Sequence, residues 1–173
     1  KQFDKDIRDK LFLESQRHMT MKMHSDVCEI RQSPDGLLAI FQDGSQLETD
    51  CVLYATGRMA NTAGLGLENT SVQTTKNGAI HIDDYFETTE PGIFALGDVV
   101  GRVALTPVAI AEGMVLASNL FNKTHKTLDY QNIATAVFSH PNVGTVGLTE
   151  EQAALIHPEI RVFESDFRHL KHT

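Results

Sequence analysis

Gly97-Asp98 follows the apolar run Ile93-Phe94-Ala95-Leu96, and Thr106-Pro107 opens an apolar, helix-forming stretch a few residues later. An apolar strand that ends in Gly-Asp puts a carboxylate at the carboxyl edge of a parallel sheet, where open α/β sheets bind ligands. Gly97 lets a bulky ligand approach the backbone, and Asp98 can accept hydrogen bonds from hydroxyls such as those of a sugar or ribityl chain. A simple strand-ending turn carries the same signature. A second apolar run, Cys51-Val52-Leu53-Tyr54-Ala55, ends in Thr56-Gly57-Arg58. Its unbroken hydrophobicity predicts a strand buried on both faces, again delivering polar residues to a sheet edge. Other reactive side chains are sparse. Cys28 and Cys51 form no CxxC pair and fall in separate strand-like runs, which predicts two buried, inert thiols and no disulfide. His169 and His172 have no carboxylate at a recognisable spacing and are expected to be solvated.

These residues need elements to place them. Asp4 to Met19 predicts a helix, with Phe3, Ile7, Leu11 and Ser15 at i, i+4 spacing and charged residues on the other faces. From Met21 the period changes. Three strands are expected, the first through Met21, Met23, Val27 and Ile30, the second over Leu37 to Gln42 and the third from Leu47. The turns Ser33-Pro34-Asp35-Gly36 and Asp43-Gly44 separate them. That is a local antiparallel meander. A polar, turn-rich stretch from Met59 to Glu90 contains one short strand, Ala79 to Ile82. Pro107 to Phe121 is helical, with Pro107 tolerated in the first turn and Ala, Leu and Met following. Ala134 to Phe138, Val143 to Leu148 and Ile160 to Phe167 predict strands of a further sheet. Thr149 and Gln152 have capping-box spacing for a short helix to about Ile156.

A formal charge of −8 over 173 residues argues against nucleic acid or an anionic membrane as partner. No run reaches the roughly 18 apolar residues of a spanning helix. The charged start, Lys1-Gln2-Phe3-Asp4, has no apolar signal region. A soluble, cytoplasmic protein is expected. The chain starts without Met and stops with no evident terminating element, so it is expected to be a piece of something longer.

Several motifs in order carry a family resemblance. Ala55-Thr56-Gly57-Arg58-Met59-Ala60-Asn61-Thr62, Thr88 through Asp98, Leu105-Thr106-Pro107-Val108-Ala109-Ile110-Ala111-Glu112-Gly113, Val137-Phe138-Ser139-His140-Pro141 and Gly144-Thr145-Val146-Gly147-Leu148-Thr149 resemble the class I flavoprotein pyridine nucleotide-disulfide reductases. Thr106-Pro107-Val108-Ala109 is most like the glutathione and trypanothione reductase branch. The resemblance implies an α/β, Rossmann-like fold with three domains in series, for FAD, for NADPH and for the dimer interface. Residues 1–58 would be the second half of the NADPH domain, with the meander inserted. Residues 59–122 would be the returning segment of the FAD domain, and 123–173 the start of an α+β interface domain. The family's GxGxxG turn, redox cysteine pair and late His-Pro acid–base residue are missing from this sequence. The implied intact enzyme passes hydride from NADPH to FAD and electrons to a dithiol, then to glutathione disulfide, and is a homodimer. Its alternatives are a reductase of another low-molecular-weight disulfide (trypanothione-like) and a non-catalytic binding or dimerisation piece. The chain alone is expected to be inactive.

The resemblance also assigns residues. Asp98, with Gly97, would hold the ribityl chain of FAD. Leu105 and Thr106 would bring a helix N-terminus to the flavin pyrimidine, where free N–H groups and the positive helix end stabilise negative charge. A plain N-cap is the other role for Thr106, and the two are compatible. Gly57 and Arg58 match a turn beside NADPH, against a surface or interdomain salt bridge as the alternative for Arg58. Lys1 falls where the family often grips the 2′-phosphate with Arg. Ala104 and Ala136 match positions presenting backbone near the nicotinamide. Met114 occupies a position usually held by Arg, which contacts a glutathione carboxylate, so the disulfide read by this chain is open. His140-Pro141 mimics the catalytic dipeptide but lies in the motif that opens the interface domain, and a structural role is expected.

Overall fold

The computed structural model describes residues 3–166. Lys1, Phe167, His169 and His172 lie outside the described residues. Helix α1 spans Lys5–Gln16, with Asp4 at its N-cap. Its surface is laced by Lys5 paired to Asp9 at i, i+4 and by Arg17 to Glu14 at 2.8 Å. A three-stranded sheet follows in the order β1-β2-β3, with β1 Val27–Ser33, β2 Gly36–Phe41 and β3 Gln46–Thr49. Neighbours in sequence are neighbours in the sheet, as in the expected meander. The first strand starts later than Met21. At the Asp43-Gly44 turn, Asp43 Oδ1 accepts both the Ser45 amide (2.9 Å) and the Ser45 hydroxyl (2.5 Å). This Asx-type turn is the local chemistry that Asp-Gly encodes.

Contacts divide the chain into two units. The first comprises residues 1–31, 38–47 and 131–173, and the second residues 32–37 and 48–130. In the first unit, strands β4 (Thr135–Val137) and β5 (Val143–Thr145) pair antiparallel, with Ala136 opposite Gly144. Helix α3, Glu150–Ile156, starts with the complete capping box: the Thr149 hydroxyl accepts from the Gln152 amide and the Gln152 side chain accepts from the Thr149 amide. The Asp4 carboxylate accepts the next orphan donor, the Glu150 amide, at 2.6 Å. Ile160 to Asp166, expected as a strand, has no regular structure.

The second unit holds the core that positions the site. Val72, Ile80, Ala95 and Val100 cluster, with Leu67, Ile82 and Val99 packed against them. Phe86 is fully buried although its φ is +69°, unusual for a bulky residue. Asp83 holds that turn: its Oδ1 accepts the amides of Tyr85 (2.8 Å) and Glu87 (3.0 Å). The Phe86 carbonyl in turn accepts the Ala95 amide at 3.0 Å. Burying a phenylalanine contributes about 1.5–3 kcal/mol, enough to offset about 1–3 kcal/mol of local strain.

Two expectations are corrected in this unit. Cys51 to Ala55 is no buried strand: Leu53 is 87 % and Tyr54 69 % exposed. An all-apolar strand exists only where neighbours complete its ladder and cover both faces, and no described strand lies beside it. Ala79 to Ile82 and Ile93 to Leu96 form isolated bridges instead of strands, Thr74 to Ile80, Ile82 to Thr88 and Glu87 to Phe94. The cysteines are a further correction. They are unpaired, as expected, but both are exposed, Cys51 because its segment is uncovered and Cys28 because its stretch of β1 is not packed under another layer.

Candidate functional site

Helix α2, Thr106–Asn122, is the anchor of the site. Leu105 is extended at φ −132°, ψ 133° and holds the N-cap position, so Thr106 is the first helical residue and not the cap. The Leu105 carbonyl accepts the Val108 and Ala109 amides at 3.0 and 3.1 Å. Pro107 sits in the first turn, where its missing N–H costs nothing. No side chain caps the helix start, which leaves its positive end open.

Against α2 lies the Gly-Asp turn. The extended residues before it run into a short 3₁₀ helix, Gly97–Val100, in which the Gly101 amide donates to the Asp98 carbonyl at 3.2 Å. Gly97 has φ +73°, and a Cβ there would sit 3.2 Å from the Ala109 Cβ. A left-handed backbone and a close helix thus both require glycine. This packing role was not among those expected for Gly97.

Asp98 is exposed, and its Oδ2 lies 3.3 Å from Arg58 Nη1, with the two side chains 56 % and 69 % exposed. The other Arg58 terminal nitrogen, Nη2, donates to the Ala104 carbonyl at 3.2 Å. Gly57, just before Arg58, has φ +116°. Arg58, Gly97, Asp98, Ala104, Leu105 and Thr106 are therefore gathered from two distant segments. Arg58 makes the surface ion pair considered as its alternative role, and its partner is the candidate carboxylate itself. Met114 lies further along α2, 70 % exposed. Ala136 belongs to the first unit, exposed at the centre of β4. His140 is exposed, and the neighbouring Ser139 hydroxyl donates to the Pro141 carbonyl at 2.7 Å.

One residue of the site was missed in the sequence. Glu112 is 1 % exposed. Its Oε2 accepts the Gly97 amide at 2.5 Å and its Oε1 accepts the Tyr130 hydroxyl at 2.7 Å. Arg102 stacks over the Tyr130 ring at 5.5 Å and donates to the Asp83 carbonyl at 3.1 Å. Burial, and secondarily the Glu112 carboxylate, push the Tyr130 phenol above its ordinary range, with Arg102 opposing. A signal was present: Glu112 is the single charged residue between Thr106 and Asn122. A lone charge in an otherwise apolar helix is either exposed or tied to specific donors.

The structure thus gathers a Gly-Asp turn, the open start of an apolar helix and a basic side chain at one place. Residues 1–113 match the family model described as pyridine nucleotide-disulphide oxidoreductase, and residues 133–173 match the dimerisation domain of the same enzymes. The chain belongs to this family. Among its relatives, the chloroplastic/mitochondrial glutathione reductase of Pisum sativum is 45 % identical over 145 residues, 83 % of this chain and 26 % of the relative. Glutathione reductase of Burkholderia cepacia is 38 % identical over 170 residues, 98 % of this chain and 38 % of the relative. Trypanothione reductase of Trypanosoma congolense is 41 % identical over 145 residues, 83 % of this chain and 30 % of the relative. The HOCl-induced flavoprotein disulfide reductase RclA of Escherichia coli has the same fold over 89 % of this chain and 36 % of its own, with a TM-score of 0.82 at 28 % identity. The chain thus spans about a quarter to two-fifths of the relatives it matches. Among the described residues no helix is long and apolar enough to cross a membrane, and no cluster of three or more His, Cys, Asp or Glu can hold a metal.

Proposed function

We propose that this chain forms part of an FAD- and NADPH-dependent disulfide reductase acting on a low-molecular-weight disulfide, glutathione disulfide first. The observation that carries the reading is the convergence of Arg58, Asp98 and the uncapped start of α2 at one place. The donor set suits the flavin nucleotide. Asp98 is an exposed acceptor for hydroxyls, Gly97 keeps the backbone bare, and the positive end of α2 favours negative charge by about 0.3–1 kcal/mol. Bound there, FAD would supply hydride and electron transfer between NADPH and a dithiol. Asp98 would hold the ribityl hydroxyls, and Leu105 and Thr106 would orient the pyrimidine edge. Gly57, Arg58 and the Ala104 backbone would face the nicotinamide side.

The assignment of residues 1–58 to the NADPH domain, 59–122 to the FAD domain and 123–173 to the interface domain belongs to the same proposal, as does a homodimer of the complete enzyme. Two unpaired cysteines support a reducing compartment, the cytoplasm. A second reading, reduction of a different disulfide, is favoured by Met114, which offers no charge to a glutathione carboxylate.

The test is a pair of variants in the complete enzyme. Asp98→Ala leaves flavin hydroxyls unpaired at a cost of about 1–3 kcal/mol, so flavin per subunit drops on dialysis. Arg58→Ala retains flavin and raises KM for NADPH. Full flavin occupancy after dialysis of the Asp98 variant would show that the Gly-Asp turn is only a turn.

A further inference from the structure

We infer that Glu112 is a positioning residue for the flavin site, holding the Gly97-Asp98 turn in place through the Gly97 amide while Tyr130 fixes its carboxylate from the other side. The inference rests on the flavin reading given above. Gly97 opens the 3₁₀ helix Gly97–Val100, so its amide is one of the orphan donors at a helix start. No neighbouring side chain caps it; the acceptor comes instead from α2, as Glu112 Oε2. The second carboxylate oxygen is taken by the Tyr130 hydroxyl at 2.7 Å. Arg102 covers the Tyr130 ring and reaches the Asp83 carbonyl, which ties the phenol to the core turn.

The geometry explains why a carboxylate is buried here. A group with two acceptor oxygens joins two donors from segments distant in sequence, and a shorter or apolar side chain joins neither. Both oxygens are satisfied, which restrains the carboxylate and, through it, the Gly97 amide. The Asp98 carboxylate is one residue away. Its other restraint is an ion pair to Arg58 with both side chains more than half exposed, which is too weak to fix it. The buried clamp, not the surface pair, sets where Asp98 stands.

The test compares Glu112→Ala, Glu112→Gln, Tyr130→Phe and Asp98→Ala. Glutamine restores function in this scheme, because its carbonyl accepts from Gly97 and its amide donates to the Tyr130 oxygen. In the chain itself, hydrogen exchange of the Gly97 amide is expected to speed up about tenfold in Glu112→Ala, and to stay within about threefold of the parent in Glu112→Gln, as for loss and retention of one buried hydrogen bond. In the complete enzyme, the flavin dissociation constant is expected to rise about tenfold in Glu112→Ala and about threefold in Tyr130→Phe, with KM for NADPH unchanged. Unchanged Gly97 exchange in Glu112→Ala overturns the clamp, and so does a Glu112→Gln variant as impaired as Glu112→Ala. If Asp98→Ala releases flavin and both Glu112→Ala and Tyr130→Phe retain it, the positioning role is wrong and the flavin reading stands. If exchange speeds up but Asp98→Ala retains flavin, the flavin reading fails instead, and the positioning of a flavin site fails with it.

Discussion

Replacing Gly97 by alanine isolates the close approach of α2 to the Gly-Asp turn. Two costs are combined there. The φ of +73° is left-handed, which costs an L-residue about 1–2 kcal/mol. The new Cβ would also stand 3.2 Å from the Ala109 Cβ, inside ordinary carbon contact. Neither partner is a flexible tip, since one is a backbone-fixed methyl and the other sits on a long helix. Forcing a methyl into such a space costs a further ~1–3 kcal/mol. Gly92 supplies the control. Its φ is +81° and nothing lies within 4 Å of its would-be Cβ, so Gly92→Ala carries the backbone cost alone. The three tyrosines, Tyr54, Tyr85 and Tyr130, all fall in the second unit, and the chain has no tryptophan, so tyrosine fluorescence in urea reports on this unit. With a slope of about 2 kcal/mol per molar urea, the Gly97 variant should unfold about 0.5–1.5 M earlier than the Gly92 variant. Coincident midpoints would refute the packing of α2 against the turn, and with it the argument that glycine is required at position 97 for more than its backbone angle.

Three other outcomes are expected. A thiol reagent added without denaturant should label both Cys28 and Cys51, since both are exposed; labelling only after unfolding would restore the buried-thiol picture. The Ser45 hydroxyl and amide, with Lys22 third, hold the Asp43 carboxyl at about 2, below its ordinary 3.8. A depressed carboxylate stabilises the fold above its unfolded pKa, so this contribution is present above about pH 4 and lost as pH falls toward 2. Carbon-detected NMR titration should find the Asp43 midpoint near 2 in the parent and higher in Ser45→Ala; an unchanged midpoint in that variant would rule out the Ser45 contacts as the cause. In the complete enzyme, Met114→Arg restores a charge at a 70 % exposed position and should lower KM for glutathione disulfide by roughly 10- to 150-fold, the equivalent of about 1.5–3 kcal/mol for a charge-assisted bond. An unchanged KM would point to a different disulfide.

What was legible in the sequence was what the chain decides locally. Thr149 and Gln152 make their capping box with one another, Pro107 sits in the first turn of the helix it announced, and Asp43-Gly44 turns through its own side chain. What was not legible depends on distant partners. Cys51 to Ala55 reads as a buried strand, yet a strand is completed by its neighbours, and no described segment pairs with it. Ile93 to Leu96 is a partial case: Phe94 finds a bridge to Glu87 and Ala95 donates to Phe86, enough to aim Gly97 but not to build a sheet. A plain N-cap is one of the roles open to Thr106, since threonine commonly caps, but Leu105 already has the extended backbone of that position. Glu112 was readable in principle. Its lone charge on α2 poses the question of a partner, and only the fold identifies Gly97 and Tyr130 as the answer.

The Arg58–Asp98 pair shows why two roles for one carboxylate are compatible. An exposed ion pair contributes about 0–1 kcal/mol, so a ligand that takes Asp98 from Arg58 gives up little. A buried pair at the same position would resist exchange, because removing one partner strands the other charge away from water. The site therefore combines two kinds of restraint. The backbone of the turn is fixed by buried groups, Glu112 below Gly97 and Ala109 against it, while the carboxylate that projects from it is held by an exchangeable surface contact. Preorganised backbone with a lightly held acceptor suits a residue whose function is to receive hydroxyls from a ligand. On the flavin reading proposed above, it also separates the expected consequences of mutation: Gly97→Ala should act on stability, Arg58→Ala on KM for NADPH, and Asp98→Ala on flavin retention.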